Sequence, residues 1–211
     1  MRFKEFISES FSSDGISIEE AVDIVKERGL EWKKFTGGFP TNSTNWLIYR
    51  GMHVMFAPDF VVKSPRSNRK PLTTIKKTHD QADDFFKEEF GIAFRSNSIF
   101  TARSKEVAGW YGDVYAIFPL DRVSFAWSEE VEDFTAQVDD YKRKNKFGSN
   151  TLTDDQSKEM LKSFDYHFND SSLQEKYFKF RDFNKHELMI HCDEYLAVRE
   201  EKLNEFLDLL L

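Results

Sequence analysis

The chain has one cysteine, five prolines and nine glycines in 211 residues, and what is missing narrows the possibilities. A lone thiol, Cys192, excludes an internal disulfide and suits a reducing compartment. No apolar run approaches the ~20 residues of a membrane-spanning helix, and the N-terminal residues lack the apolar core of a secretory signal. Neither G-x-G-x-x-G nor a P-loop occurs, so the signatures of doubly wound nucleotide-binding sheets are absent. A net charge of −7 argues against a general nucleic-acid coat or a membrane-surface binder. No carboxylate cluster suggests a Mg²⁺ site, which counts against a nuclease-like domain.

Aromatic residues are abundant. Twenty-two phenylalanines accompany a charged fraction of 32%, so one domain of this length can bury a dense core and remain well solvated. Ser17-Ile18-Glu19-Glu20 reads as a helix N-cap with a glutamate three residues on; that helix runs to Arg28 and stops at Gly29. Trp46 to Arg50 reads as a strand, and Pro58 to Pro71 as a basic loop. Thr78 to Phe90 has helical periodicity and closes at Gly91. Ser98 to Thr101 begins as a strand, and Ser104 to Trp110 gives one or two helical turns. Strands are expected over Val114 to Phe118, ended by Pro119, and over Val123 to Trp127. Helix and loop are expected over 140–175, strands over Glu187 to Ile190 and Tyr195 to Val198, and a leucine-rich helix over Glu200 to Leu211. The predicted class is α+β, in a single domain covering 17–211.

The stretch NKHELMIHCDEYL places His186, Glu187, His191 and Cys192 close together. A zinc-protease helix needs two histidines four apart, and these are five apart. Leu188-Met189-Ile190 reads as a strand instead. Alternation then puts Glu187, Met189 and His191 on one face and His186, Leu188, Ile190 and Cys192 on the other. The histidines diverge, no metal is expected, and Glu187 remains as the carboxylate of interest.

Three points line up along the chain: Tyr49-Arg50-Gly51 at a strand end, Ser104 with Ala108 and Tyr111 on a short helix, and Lys185-His186-Glu187 opening a late strand. In this order they resemble the Arg-Ser-Glu class of ADP-ribosyltransferases, particularly small enzymes of tailed phages, over about residues 44–198. The resemblance implies a split mixed β core with flanking helices, NAD as substrate and no metal. It implies that Glu187, Ser104 and Arg50 are catalytic, and that Arg50, Gly51, Ser104 and Tyr111 contact NAD. Arg50 would hold phosphate or ribose oxygens through planar, charge-assisted donors. Gly51 would leave backbone groups open to the nicotinamide amide. Glu187 would stabilise the oxocarbenium-like ribose as nicotinamide departs, with Ser104 orienting it; Tyr111 or Trp110 could pack against the nicotinamide ring.

The sequence departs from that pattern in two places. Ala102 and Arg103 stand where the class has a Ser and a Thr, and Lys185 stands where arginine-modifying members carry a glutamate and others a glutamine. These departures count against modification of arginine and toward an unusual acceptor, an unidentified host protein or nucleic acid, or simple hydrolysis of NAD as by an NAD glycohydrolase. The same departures support an alternative, a catalytically degenerate binding protein that blocks a host factor.

Each motif also has a plainer reading: Arg50 as a surface ion-pair partner, Ser104 as a helix cap, Glu187 as a solvated charge. Lys63, Arg66, Arg69, Lys70, Lys76 and Lys77 could meet a phosphate or a nucleic-acid acceptor, with a solvated loop as the plain reading. Finally, residues 1–10, MRFKEFISES, resemble the capsid-targeting leader of T-even phages, with cleavage implied after Glu9. That resemblance implies phage head proteins as partners, and passage from the virion head into the host cytoplasm.

Overall fold

The computed structural model describes residues 15–41, 43–53, 58–67, 69, 74–148 and 151–211. The leader-like residues 1–10 and Lys70 lie outside them. The first helix, α1 (Ile18–Arg28), begins where Ser17 Oγ accepts the Glu20 N–H, and Gly29 caps its end. After α2 (Leu30–Phe35) come two short strands, β1 (Tyr49–Met52) and β2 (Phe60–Lys63). Helix α3 (Lys76–Phe90) ends at Gly91 in the left-handed conformation, φ 76°. A four-residue helix, α4 (Phe94–Asn97), leads into β3 (Ile99–Thr101) and α5 (Lys105–Gly109).

Two long strands then dominate the sheet: β4 (Asp113–Trp127) and, after α6 (Phe134–Lys144), α7 (Asp154–Ser163) and the two-residue β5 (His167–Phe168), β6 (Leu188–Arg199). The chain closes with α8 (Leu203–Leu210). Strand order is β1-β4-β6-β2, with β3 also on β6 and β5 also on β4. The result is a single α+β domain with an open sheet and flanking helices. Every pairing among the described strands is antiparallel, so the expected mixture of parallel and antiparallel strands is not found.

Three strand boundaries differ from expectation for identifiable reasons. Pro119 does not end a strand; it pairs with Tyr195 inside β4. There β1 has already stopped at Ala116 and β5 has not begun, so that side of β4 is an edge, where a missing N–H is tolerated. A bulge between Leu120 and Val123 follows, with Asp121 at φ 58°. The two late strands are likewise one continuous β6. Inside the expected basic loop, Phe60-Val61-Val62 forms β2 and pairs with Val198, Ala197 and Leu196; a three-residue apolar run is too short to stand out from the basic residues around it.

The sheet is covered on both faces. One core holds Trp32, Trp46, Ile48, Phe118, Leu188, Ile190, Cys192 and Phe206. The other holds Phe86, Phe94, Ala126, Phe134 and Met189, with Phe90, Phe100, Tyr166 and Phe168 packed against it. The alternation Leu188, Met189, Ile190 between the two cores is the strand periodicity read from sequence. Much of the phenylalanine content goes into the second core, where Phe86 meets Phe94 and Tyr166 edge-on. Each fully buried ring contributes roughly 1.5–3 kcal/mol of hydrophobic stabilisation.

Candidate functional site

The site lies on the second-core face, where β1, β3 and β6 come together. Backbone bonds between Tyr49 and Ala102 tie β1 to the segment after β3. Thr101 and Phe100 pair with Leu188 and Met189, which sets the head of β6 beside them. Arg50 Nη1 donates to the Phe100 carbonyl at 3.4 Å. Glu187, one residue before β6, has a side chain about 20% exposed and an ion pair from Oε1 to Arg95 Nη1.

Four arginines gather there with one glutamate. Arg69 lies over the Phe100 ring, 3.6 Å from its centroid. Arg95 lies 4.4 Å from the same ring and 4.3 Å from that of Phe134, so cation–π attraction holds both guanidiniums in place. Arg50, Arg66, Arg69, Ser98 and Tyr195 line a crevice of about 30 Å³, room for a couple of water molecules or the oxygens of one phosphate group rather than a whole nucleotide.

The electrostatics follow from this crowding. Burial, then the like charges of Arg50 and Arg95, push the Arg69 guanidinium down to about 9, against the pull of Glu187. Burial pushes the Glu187 carboxyl above its ordinary range, while Arg95 and Arg69 hold it down. Tyr111, 47% exposed, has its phenol raised by burial and by Asp133 and Glu187, and lowered by Arg69. Tyr111 therefore faces the same group of charges. The Tyr166 hydroxyl is buried with no hydrogen-bond partner among the described residues and also responds to Glu187 and Arg95.

The residues singled out in the sequence are thus distributed as follows. Arg50, Glu187 and Tyr111 share one electrostatic neighbourhood. Ser104 comes near the head of β6 through its backbone, its N–H donating to the Asn184 carbonyl at 2.8 Å, but its hydroxyl accepts from Val107 N and caps α5. The room that Gly51 leaves is filled by this chain itself, since a Cβ there would collide with the Ala108 carbonyl and crowd Tyr111. Trp110 is 65% exposed. Of the two departures after β3, Ala102 is buried and Arg103 donates to the Tyr177 and Phe180 carbonyls, so both serve the fold. Lys185 is exposed.

Sequence reasoning missed Arg95 and misjudged Arg69. The plain reading of Arg69 as part of a solvated loop is corrected by its packing on Phe100. No periodicity marked Arg95, which sits on a four-residue helix; a cation beside the buried Phe94 was the available signal. His186 Nε2 bonds the Glu129 carbonyl and His191 Nδ1 the Asn97 carbonyl. Among the described residues no group of His, Cys, Asp and Glu could hold a metal ion, and no helix is long and apolar enough to cross a membrane. In comparisons with known proteins, the chain matches no family model, no curated protein and no solved structure.

Proposed function

We propose that the protein binds NAD where β1, β3 and β6 meet and breaks its nicotinamide–ribose bond. One observation carries this reading: Arg50 from β1 donates to the Phe100 carbonyl, and Arg95, the ion-pair partner of Glu187, lies on the Phe100 ring, so cation and carboxylate flank the same residue. Arg50 holds phosphate or ribose oxygens. Glu187 Oε1 is held by Arg95; Oε2 is the atom that accepts a ribose hydroxyl. As the C–N bond breaks, its electron pair leaves with nicotinamide, and the ionised Glu187 stabilises the positive ribose. A nucleophile of the acceptor, or water, then bonds to the ribose carbon and gives up its proton. Tyr111 supplies a ring for stacking.

On this reading the sheet is the split core of an ADP-ribosyltransferase, the acceptor is a host protein or nucleic acid, and the protein travels in a phage head before acting in the host cytoplasm. Nicotinamide release from NAD by the purified chain, with and without host lysate, is the test. Release that disappears in Glu187→Gln supports the reading, and no release under either condition overturns it.

A second reading has its own observation. Glu187 is locked to Arg95, and the Ser104 hydroxyl is spent on a helix cap. Both fit a binding protein that keeps the architecture without turnover and captures a host factor instead.

A further inference from the structure

Beyond that reading, the crevice between β3 and the segment before α3 has features of its own. Ser98 is 3% exposed, and its Oγ has no hydrogen-bond partner among the described residues. Arg69 Nη1 is likewise buried without one. Both residues line the same crevice, with Arg50 and Arg66 beside them and no carboxylate among its described lining residues. A buried donor left unpaired costs about 1–3 kcal/mol, and these two belong to residues that line one crevice.

We infer that this crevice is an oxyanion site of the phosphate class, in which Arg69 Nη1–H and Ser98 Oγ–H donate to the anion's oxygens while Arg66 and Arg50 supply charge. A phosphate oxygen accepts from several donors at once, which a carbonyl or hydroxyl ligand does less well. The space admits the oxygens of one phosphate group and leaves whatever it is attached to outside. The depressed affinity of Arg69 for its proton agrees, because a bound anion would supply the opposite charge that Arg69 lacks.

Calorimetric titration of the full chain with inorganic phosphate, pyrophosphate and ADP-ribose, at fixed ionic strength, tests this. Arg69→Gln should weaken binding by about tenfold or more, and Ser98→Ala by a smaller factor, as loss of a charge-assisted and of a neutral hydrogen bond predicts. Arg122→Gln, which removes an exposed arginine paired with Asp193, should leave binding unchanged. Circular dichroism of each variant confirms folding. Affinity for pyrophosphate and ADP-ribose well above that for phosphate makes a nucleotide the source of the anion; equal affinities make it free phosphate. The inference is overturned if none of the three binds, if Arg69→Gln binds as tightly as wild type, or if Arg122→Gln loses as much. Phosphate-class binding without nicotinamide release leaves this site standing and removes the NAD reading; release unaffected by Arg69→Gln, with no anion binding, does the reverse.

Discussion

Two charged clusters sit on this sheet, and they are built on opposite terms. At the β4 bulge Arg28 meets two carboxylates, Asp121 through both Nε and Nη2 and Glu194 at 2.6 Å through Nη2. Its guanidinium is raised above the ordinary arginine value, chiefly by those hydrogen bonds. At the head of β6, by contrast, Arg95 and Arg69 both bear on Glu187 while Arg50 and Arg66 crowd Arg69, and Arg69 is pushed down rather than up. In the first cluster one guanidinium meets two carboxylates and lacks no countercharge. It closes a bulge whose Asp121 stands at positive φ, and it asks for nothing from solution. The second holds two buried donors, Arg69 Nη1 and Ser98 Oγ, without hydrogen-bond partners among the described residues, the condition expected of a surface that completes itself with a ligand.

The largest effect separating the two clusters should come from Glu187. On the NAD reading, Glu187→Gln removes the ionised group facing the ribose and should cost ~100-fold or more in nicotinamide release. A carboxamide of the same shape keeps the packing, so unchanged circular dichroism with lost turnover is the expected pair of results. Equal loss of turnover in Arg28→Ala would erase the distinction between the clusters.

Arg95 should give the next effect, and its sign can be worked out. Burial raises the Glu187 carboxyl, and Arg95 is the first of the groups holding it down. Because turnover needs the ionised form, the acid limb of kcat/KM against pH should lie above the ordinary glutamate range, the rate falling as pH drops through it. In Arg95→Gln that limb should move to still higher pH, with activity partly regained at alkaline pH. A profile that drops in height without moving would make Arg95 a packing residue only.

Arg28→Ala sharpens the comparison from the structural side. The side chains of Arg28 and its partners are about one third exposed, so solvent screens the network and the loss should be about 1–2 kcal/mol in a urea unfolding curve. Anion binding and any NAD turnover should remain at wild-type level. A change in either would mean that the bulge communicates with the head of β6.

What the sequence revealed divides along similar lines. Helix ends written in short-range chemistry were legible: Ser17 as N-cap, Gly29 and Gly91 as stops. The alternation of Leu188, Met189 and Ile190 between the two cores was legible, whereas His186, which bonds the Glu129 carbonyl, lies before β6 begins. Long-range pairing was not legible. Pro119 and the bulge after it make β4 read as two strands, and only the edge on one side of β4 explains why the strand continues. Arg69 was legible only as one of six basic residues, since nothing near it in sequence announces that it will pack on Phe100 beside Arg50 and Arg95. Charge pattern identifies a basic segment; only the fold decides which of its cations is buried.

The smallest effect concerns Cys192, on the face opposite the site. It is 4% exposed, and burial pushes its thiol up to about 12, so at neutral pH it is protonated as well as shielded, and the thiolate is the reactive form. A thiol reagent should therefore label the native chain slowly and the urea-unfolded chain fully. Since Cys192 belongs to the closed core with Leu188 and Ile190, its labelling rate reports opening of that face alone. A phosphate-class anion that fills the crevice on the other face should slow this labelling only if both faces open together in global unfolding, because ligand binding then stabilises the whole domain. Slowing by pyrophosphate in the wild type and none in Arg69→Gln would connect the incomplete cluster to the stability of the sheet that carries it. Equal rates with and without the anion, in a protein shown by calorimetry to bind it, would mean that the Cys192 face opens locally and independently of the site.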